Sequence, residues 1–177
     1  MLAHIQQRGI RSETDTNFGF HFAMTADERP YYDSMAHNIT VPFSTNYTRT
    51  FTFDPDRGMY LVENRHGPHV DAANGEQIYV RNVLIQLTSM HIVPGDAEGR
   101  RAVQTIGEGD GWLAIDGLLW PVRWVKDAHD TPTRWYFENG APMTLAPGRT
   151  WINVFQHTGN ITFAYTPDIP TAESIYR

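Results

Sequence analysis

Turn signals recur through this 177-residue chain at a spacing that leaves room for little between them except short strands. Asp54-Pro55-Asp56-Arg57-Gly58 separates residues 47–53 from 59–62, Asp116-Gly117 separates 112–115 from 118–120, and Asn139-Gly140 follows 134–137. In the first, proline sets φ early and glycine supplies positive φ at the end. The other two are Asx-Gly pairs, which suit two-residue type I′ hairpins because both central positions tolerate a left-handed backbone. The flanking runs are rich in aromatic and β-branched residues. Antiparallel pairing is the natural expectation.

Periodicity extends that expectation along the chain. Phe18, Phe20, Phe22 and Met24 alternate with smaller or polar residues, which puts four large apolar groups on one strand face. Leu118, Trp120, Val122 and Trp124 do the same and are expected to face a core, with Trp112 and Trp135, beside turns, as candidate surface aromatics. Residues 77–87 form the longest nearly continuous apolar and β-branched run, expected as one central strand covered on both faces with Asn82 inside it. Later strands are expected at 102–106, 150–155 and 162–165, the last two linked by a turn at 157–160. The glycine-rich run 107–111 precedes a Trp-led strand and not a helix, so it reads as a tight turn and not as a phosphate loop. Helical signal is confined to Leu2 and Ile5 before Gly9, and to a turn or two over 28–36. The fold class is therefore mainly β, α+β at most: an antiparallel sandwich or partly open barrel with a short N-terminal helix. One domain is expected over 1–177, with a helical or irregular lead-in at 1–17, a body at 18–156 and a terminal strand and tail at 157–177.

With 41% hydrophobic and 12% aromatic residues the chain can bury enough surface to offset its conformational entropy. A formal charge of −6 and the lack of any dense Lys/Arg run argue against nucleic acid, whose backbone is gripped by clustered cations. The absence of cysteine excludes disulfides and thiolate metal sites. No apolar run reaches the length of a membrane span, and Met1-Leu2-Ala3-His4-Ile5 shows none of the regions of a signal peptide, so the chain taken alone reads as soluble.

Chemically versatile side chains concentrate in one place, residues 63–71, where His66, His69 and Asp71 surround a Gly67-Pro68 turn. Two imidazoles and a carboxylate are an acceptable ligand set for zinc or a similar ion, although the helical His-Glu-x-x-His spacing is excluded by Gly-Pro. Asp71 could also orient His69 as a general base, yet no Ser or Thr context marks a nucleophile, and no catalytic residue is assigned. The third reading is hydrogen bonding: His69 to Asp71, Asp71 capping the turn 72–75, and Asn82 satisfying a buried loop backbone. No cofactor is expected, and metal occupancy stays open between these readings.

A longer pattern runs through these motifs: Gly58-x-Tyr60, Gly67-Pro68-His69-x-Asp71, Gly75-x-Gln77-Ile78, Asn82-Val83, Gly109-x-Gly111, Gly117, Trp124-x-Lys126, Phe137-x-x-Gly140 and Leu145-x-Pro147-Gly148-x-Thr150-Trp151-Ile152. In order and spacing it resembles the C-terminal half of the YerB-like family of bacterial lipoproteins, over roughly residues 18–156. Val62 stands where that family tends to have arginine. The resemblance implies an extracytoplasmic location at the cell envelope, an upstream N-terminal domain in full-length relatives, and membrane contact only through a lipid anchor that this sequence lacks. Family activity is not established. The expectation is a binding or scaffolding module whose partner is a protein or a cell-wall polymer. The alternative is a hydrolytic or metal-dependent site centred on His66, His69, Asp71 and Asn82.

Overall fold

A computed structural model describes residues 19–25 and 28–167. Its strands, in chain order, are β1 (His21–Phe22), β2 (Asn38–Ser44), β3 (Tyr47–Asp54), β4 (Met59–Asn64), β5 (Gly67–Pro68), β6 (Tyr79–Val80), β7 (Asn82–Thr88), β8 (Met90–Ile92), β9 (Arg101–Val103), β10 (Gly107–Ile115), β11 (Leu118–Lys126), β12 (Arg134–Phe137), β13 (Thr144–Leu145), β14 (Thr150–Gln156) and β15 (Thr162–Ala164). Two sheets stack as a sandwich with no closed barrel. One has the order β15-β2-β3-β4-β5, with β6 also on β4; the other has β12-β11-β10-β7-β14. Pairing is antiparallel in both except for β14, which lies parallel to β7 with Thr150 opposite Asn82.

The first core lies between the sheets. Ile39, Val41, Phe51, Phe53, Tyr60 and Val62 meet Val83, Ile85, Ala114, Leu119 and Phe155 there. The other face of the five-stranded sheet packs Leu84, Leu113, Trp120, Val122, Trp124 and Trp135 under Met143, Leu145, Ala146 and Phe20. β7 is thus covered on both faces, as its apolar run requires. Trp120, Val122 and Trp124 share the expected core face. Trp135, expected as a surface aromatic, is buried beside them.

Several boundaries differ from the sequence reading. The run 77–87 is two strands, because the chain bends at Arg81 and changes sheets: residues 79–80 pair with β4, while 82–88 pair with β10 and β14. The bend is held by the Arg81 and Asn82 N–H groups, which both donate to the Arg149 carbonyl, and by the Arg81 guanidinium, 2.8 Å from Asp116. The strands expected at 150–155 and 162–165 form, but in different sheets, so the turn between them is a crossover and not a hairpin. Residues 101–103 form β9 in an outlying hairpin with β8.

Alternation fails at 18–24. Phe18 lies outside the described residues, and β1 is only two residues long, so no continuous face develops. Phe22 (56% exposed) and Met24 (78% exposed) point outward, while Ala23 is buried and donates to the Leu145 carbonyl. The helix expected near Leu2 and Ile5 lies outside the described residues. Over 28–36 the chain is extended after a 3-10 turn at Glu28, consistent with Pro30, which lacks an N–H and disfavours helical backbone at Arg29.

The glycine-rich run 107–111 is strand, not turn. A Cβ on Gly109 would lie 2.8 Å from the Trp124 indole nitrogen, and one on Gly111 would lie 2.3 Å from the Ile85 carbonyl oxygen. Glycine appears here because tryptophans and a neighbouring strand occupy the space a side chain would need. The Asp116-Gly117 turn is type I′, with φ of 54° and 78°. The Asn139-Gly140 turn is not: only Gly140 has positive φ, its N–H reaches the Phe137 carbonyl, and Phe137 bonds Ala141, the pattern of a type I turn with a glycine bulge.

Candidate functional site

The His/Asp loop is an excursion from β5 to β6. Its backbone closes on itself: the His69 N–H donates to Val62, Ile78 to His69, and Asp71 to Glu76. The Asp71 carboxylate accepts the Ala73 N–H at 2.9 Å, a local Asx turn. His66 is exposed, and its N–H is bonded to the Asn64 side chain. His69 is half-buried, its ring edge-on to Trp151 at 5.8 Å. No hydrogen bond joins His69 to Asp71. Among the described residues no three His, Asp or Glu side chains gather as a metal-ligating group.

Asn82 is held elsewhere. Its amide donates to the Ala146 carbonyl at 2.9 Å and to Thr150 Oγ1 at 3.1 Å, and its Oδ1 accepts the Ala146 N–H at 2.9 Å. It shares a face of β7 with Leu84, toward the second core. The structure therefore brings His69 near Trp151, but it does not bring Asn82 to the loop.

Burial and the positive charge of Arg49 hold His69 below the ordinary imidazole value. Burial also lowers His37, whose Nε2 has no partner, with the Thr166 backbone contact opposing. A folded pKa below the unfolded value of 6.5 leaves stability complete above that pH and erodes it as the pH falls through the folded values. The unfolding free energy should decline as the pH falls below the unfolded imidazole value of 6.5, and His37→Phe should make that decline shallower in denaturant titrations at each pH. An unchanged slope would remove His37 from the account.

A concave site does exist, on a part of the molecule the sequence reading passed over. The face of the five-stranded sheet that looks toward the other sheet is left bare beyond β15, whose Phe163 packs on Trp112 at 5.2 Å. A cleft of about 830 Å³ opens there, lined by Glu108, Asp110, Trp112, Arg123, Tyr136 and Glu138 among others. Glu108, Asp110 and Trp112 share one face of β10, which is why a turn assignment for 107–111 hid them. Arg123 sits opposite Asp110 in register and pairs with Glu108 at 2.6 Å. These side chains leave three carboxylates against one guanidinium, flanked by aromatic rings.

Two comparisons bear on this geometry. Residues 39–152 match the family model described as the C-terminal domain of a protein of unknown function, DUF3048. The chain belongs to this family. The crystal structure of the YerB protein from Bacillus subtilis is similar with a TM-score of 0.71 at 21% identity, covering 93% of this chain and 52% of that one. That likeness establishes the shared fold, and this chain spans about half the length of that protein. No curated protein matches the chain. The motifs quoted from the sequence all fall within the matched region, and several of their glycines sit where a side chain would be strained. Gly58, Gly117 and Gly148 all have positive φ, and a Cβ on Gly148 would lie 2.8 Å from Arg81 Cβ at the bend between the sheets.

Proposed function

We propose that this domain is a non-catalytic binding module of the cell envelope, and that the cleft over β10–β12 holds a stretch of cell-wall polymer. The observation that carries this reading is the lining: aromatic surfaces and hydrogen-bond-accepting carboxylates converge in one concavity, as recognition of a hydroxyl-rich ligand requires. Rings such as Trp112 and Tyr136 offer flat apolar area for the faces of sugar rings. Glu108, Asp110 and Glu138 accept from hydroxyl or ammonium groups, and the local excess of negative charge disfavours polyanions. The extracytoplasmic setting rests on the resemblance described above. A hydrolytic or metal-dependent centre at His66, His69, Asp71 and Asn82 has less behind it, since Asp71 is engaged in its own turn and Asn82 faces the second core.

Cosedimentation with purified cell-wall sacculi tests the proposal. The parent domain should be retained, and Asp110→Asn and Trp112→Ala should each weaken retention about tenfold or more, the loss typical of central contacts. Because Trp112 also packs on Phe163, Asp110→Asn is the cleaner variant. Equal retention of all three proteins would sink the cleft. Capture by envelope protein, with none by sacculi, would replace the polymer with a protein partner.

A further inference from the structure

A polar enclave is walled into one end of the first core. Arg49, on the inward face of β3 with Phe51 and Phe53, is 7% exposed, and Asn153, between Trp151 and Phe155 on the inward face of β14, is 2% exposed. The Arg49 guanidinium carbon lies 4.9 Å from the Tyr47 ring centroid and 5.5 Å from that of Trp151. Its Nη2 donates to the Tyr47 hydroxyl at 3.0 Å, its Nε has no partner, and among the described residues it forms no ion pair with a carboxylate. Both polar atoms of the Asn153 side chain are unpartnered as well. Ring contacts between their neighbours set the two residues on facing strands across the first core. Phe51 packs on Trp151 at 6.1 Å and Phe43 on Phe155 at 5.4 Å, bracketing Asn153, and Phe43 also touches Tyr47 at 5.4 Å. Tyr47, whose ring and hydroxyl both meet Arg49, is 49% exposed, so it reaches from the enclave to solvent.

One hydrogen bond and two ring contacts leave the Arg49 charge without a counter-ion and its Nε unpartnered, and the Asn153 carboxamide is wholly unsatisfied; both impose desolvation costs that a bound group would relieve. We propose that Arg49 and Asn153 form a site for the carboxylate end of an acylated amino acid, such as a peptide C-terminus, reached beneath Tyr47. One cation matches one negative charge, and the planar guanidinium fork matches a carboxylate. Asn153 Nδ2 adds a donor. Its Oδ1 is left to accept an N–H, and an acylated amino acid carries that N–H on the carbon bearing the carboxylate. Tyr47 and Trp151 supply apolar walls. His69, at the edge of Trp151, is held toward its neutral form by burial and by Arg49, so it adds no second cation near neutral pH. These residues are distinct from those lining the cleft, and the site stands or falls independently of it.

Titration of the isotope-labelled full chain with N-acetylglycine at constant ionic strength tests this by NMR. Saturable shifts are expected at the Trp151 indole N–H and the Asn153 side-chain amide. In Arg49→Met and Asn153→Leu the response should be weakened at least about tenfold, while neither variant melts below the parent in the absence of ligand. N-methylacetamide, which lacks the carboxylate, should give no saturable shift. Should Arg49→Met not fold, Arg49→Lys keeps the charge and loses the fork, and it should show the same weakening. Three results each overturn the proposal: no saturable response in the parent, which would leave the enclave to buried water; equal responses to chloride and N-acetylglycine; or undiminished binding in the folded Arg49 variant.

Discussion

Asn82→Ala should cost about 3–5 kcal/mol of unfolding free energy, the largest loss we expect from any single polar truncation in the domain. The Asn82 side chain closes both sides of the Ala146 residue, accepting its N–H and donating to its carbonyl, and it reaches Thr150 as well. Asn82 and Ala146 are both buried. Alanine would remove the partners and leave a backbone donor and acceptor in a core of Leu84, Leu145 and Met143, where each unsatisfied group costs about 1–3 kcal/mol. Urea titration reads the effect as a lower midpoint at unchanged slope. A loss under about 1 kcal/mol would mean that water or a backbone shift replaces the amide, and that Asn82 does not hold the connection from β13 to β14.

Gly111→Ala should follow at about 3 kcal/mol, at the upper end of ordinary overpacking costs. The added Cβ would meet the Ile85 carbonyl oxygen at 2.3 Å and the Trp135 ring at 3.1 Å. The first of these is backbone of the adjoining strand, so relief requires opening the ladder between β10 and β7. Gly75→Ala is the control. That position has a φ of 73° but nothing within 4 Å of a built Cβ, so only the conformational strain of about 1–2 kcal/mol applies. Similar midpoints for the two variants would show that the ladder yields more easily than the close approach implies.

Much of the architecture was legible because it depends on local chemistry. The Asp116-Gly117 hairpin follows from two adjacent residues that accept positive φ, and the burial of Trp120, Val122 and Trp124 follows from period two over nine residues of strand. What escaped depends on distant partners. Nothing local distinguishes Gly109 and Gly111 from a turn, since the reason for them is the position of Trp124, Trp135 and Ile85, and the cleft vanished with that misreading. Nothing local singles out Arg81 within the run 77–87; it marks the change of sheet because Asp116, Gly58 and Arg149 receive it there. The His/Asp loop drew attention by composition, whereas Arg49 and Asn153, single polar residues in strands, carry three buried side-chain atoms without a hydrogen-bond partner.

The parallel seating of β14 beside β7, together with the placement of β15 beside β2, has a consequence for how the molecule is made. Each sheet receives an outer strand from residues 150–164, more than sixty positions after its partner in the chain. The β2-β3-β4 meander can zip up while synthesis continues, because its contacts are local, but Asn82 and Phe155 reach their final surroundings only once residues 150–164 have been made. Long loops must then close, which slows folding and leaves β7 and β2 with open hydrogen-bonding edges in the interval. A nascent chain paused before Thr150 would therefore present two unpaired strands to its neighbours, and it stays open to aggregation until residues 150–164 are made and seated.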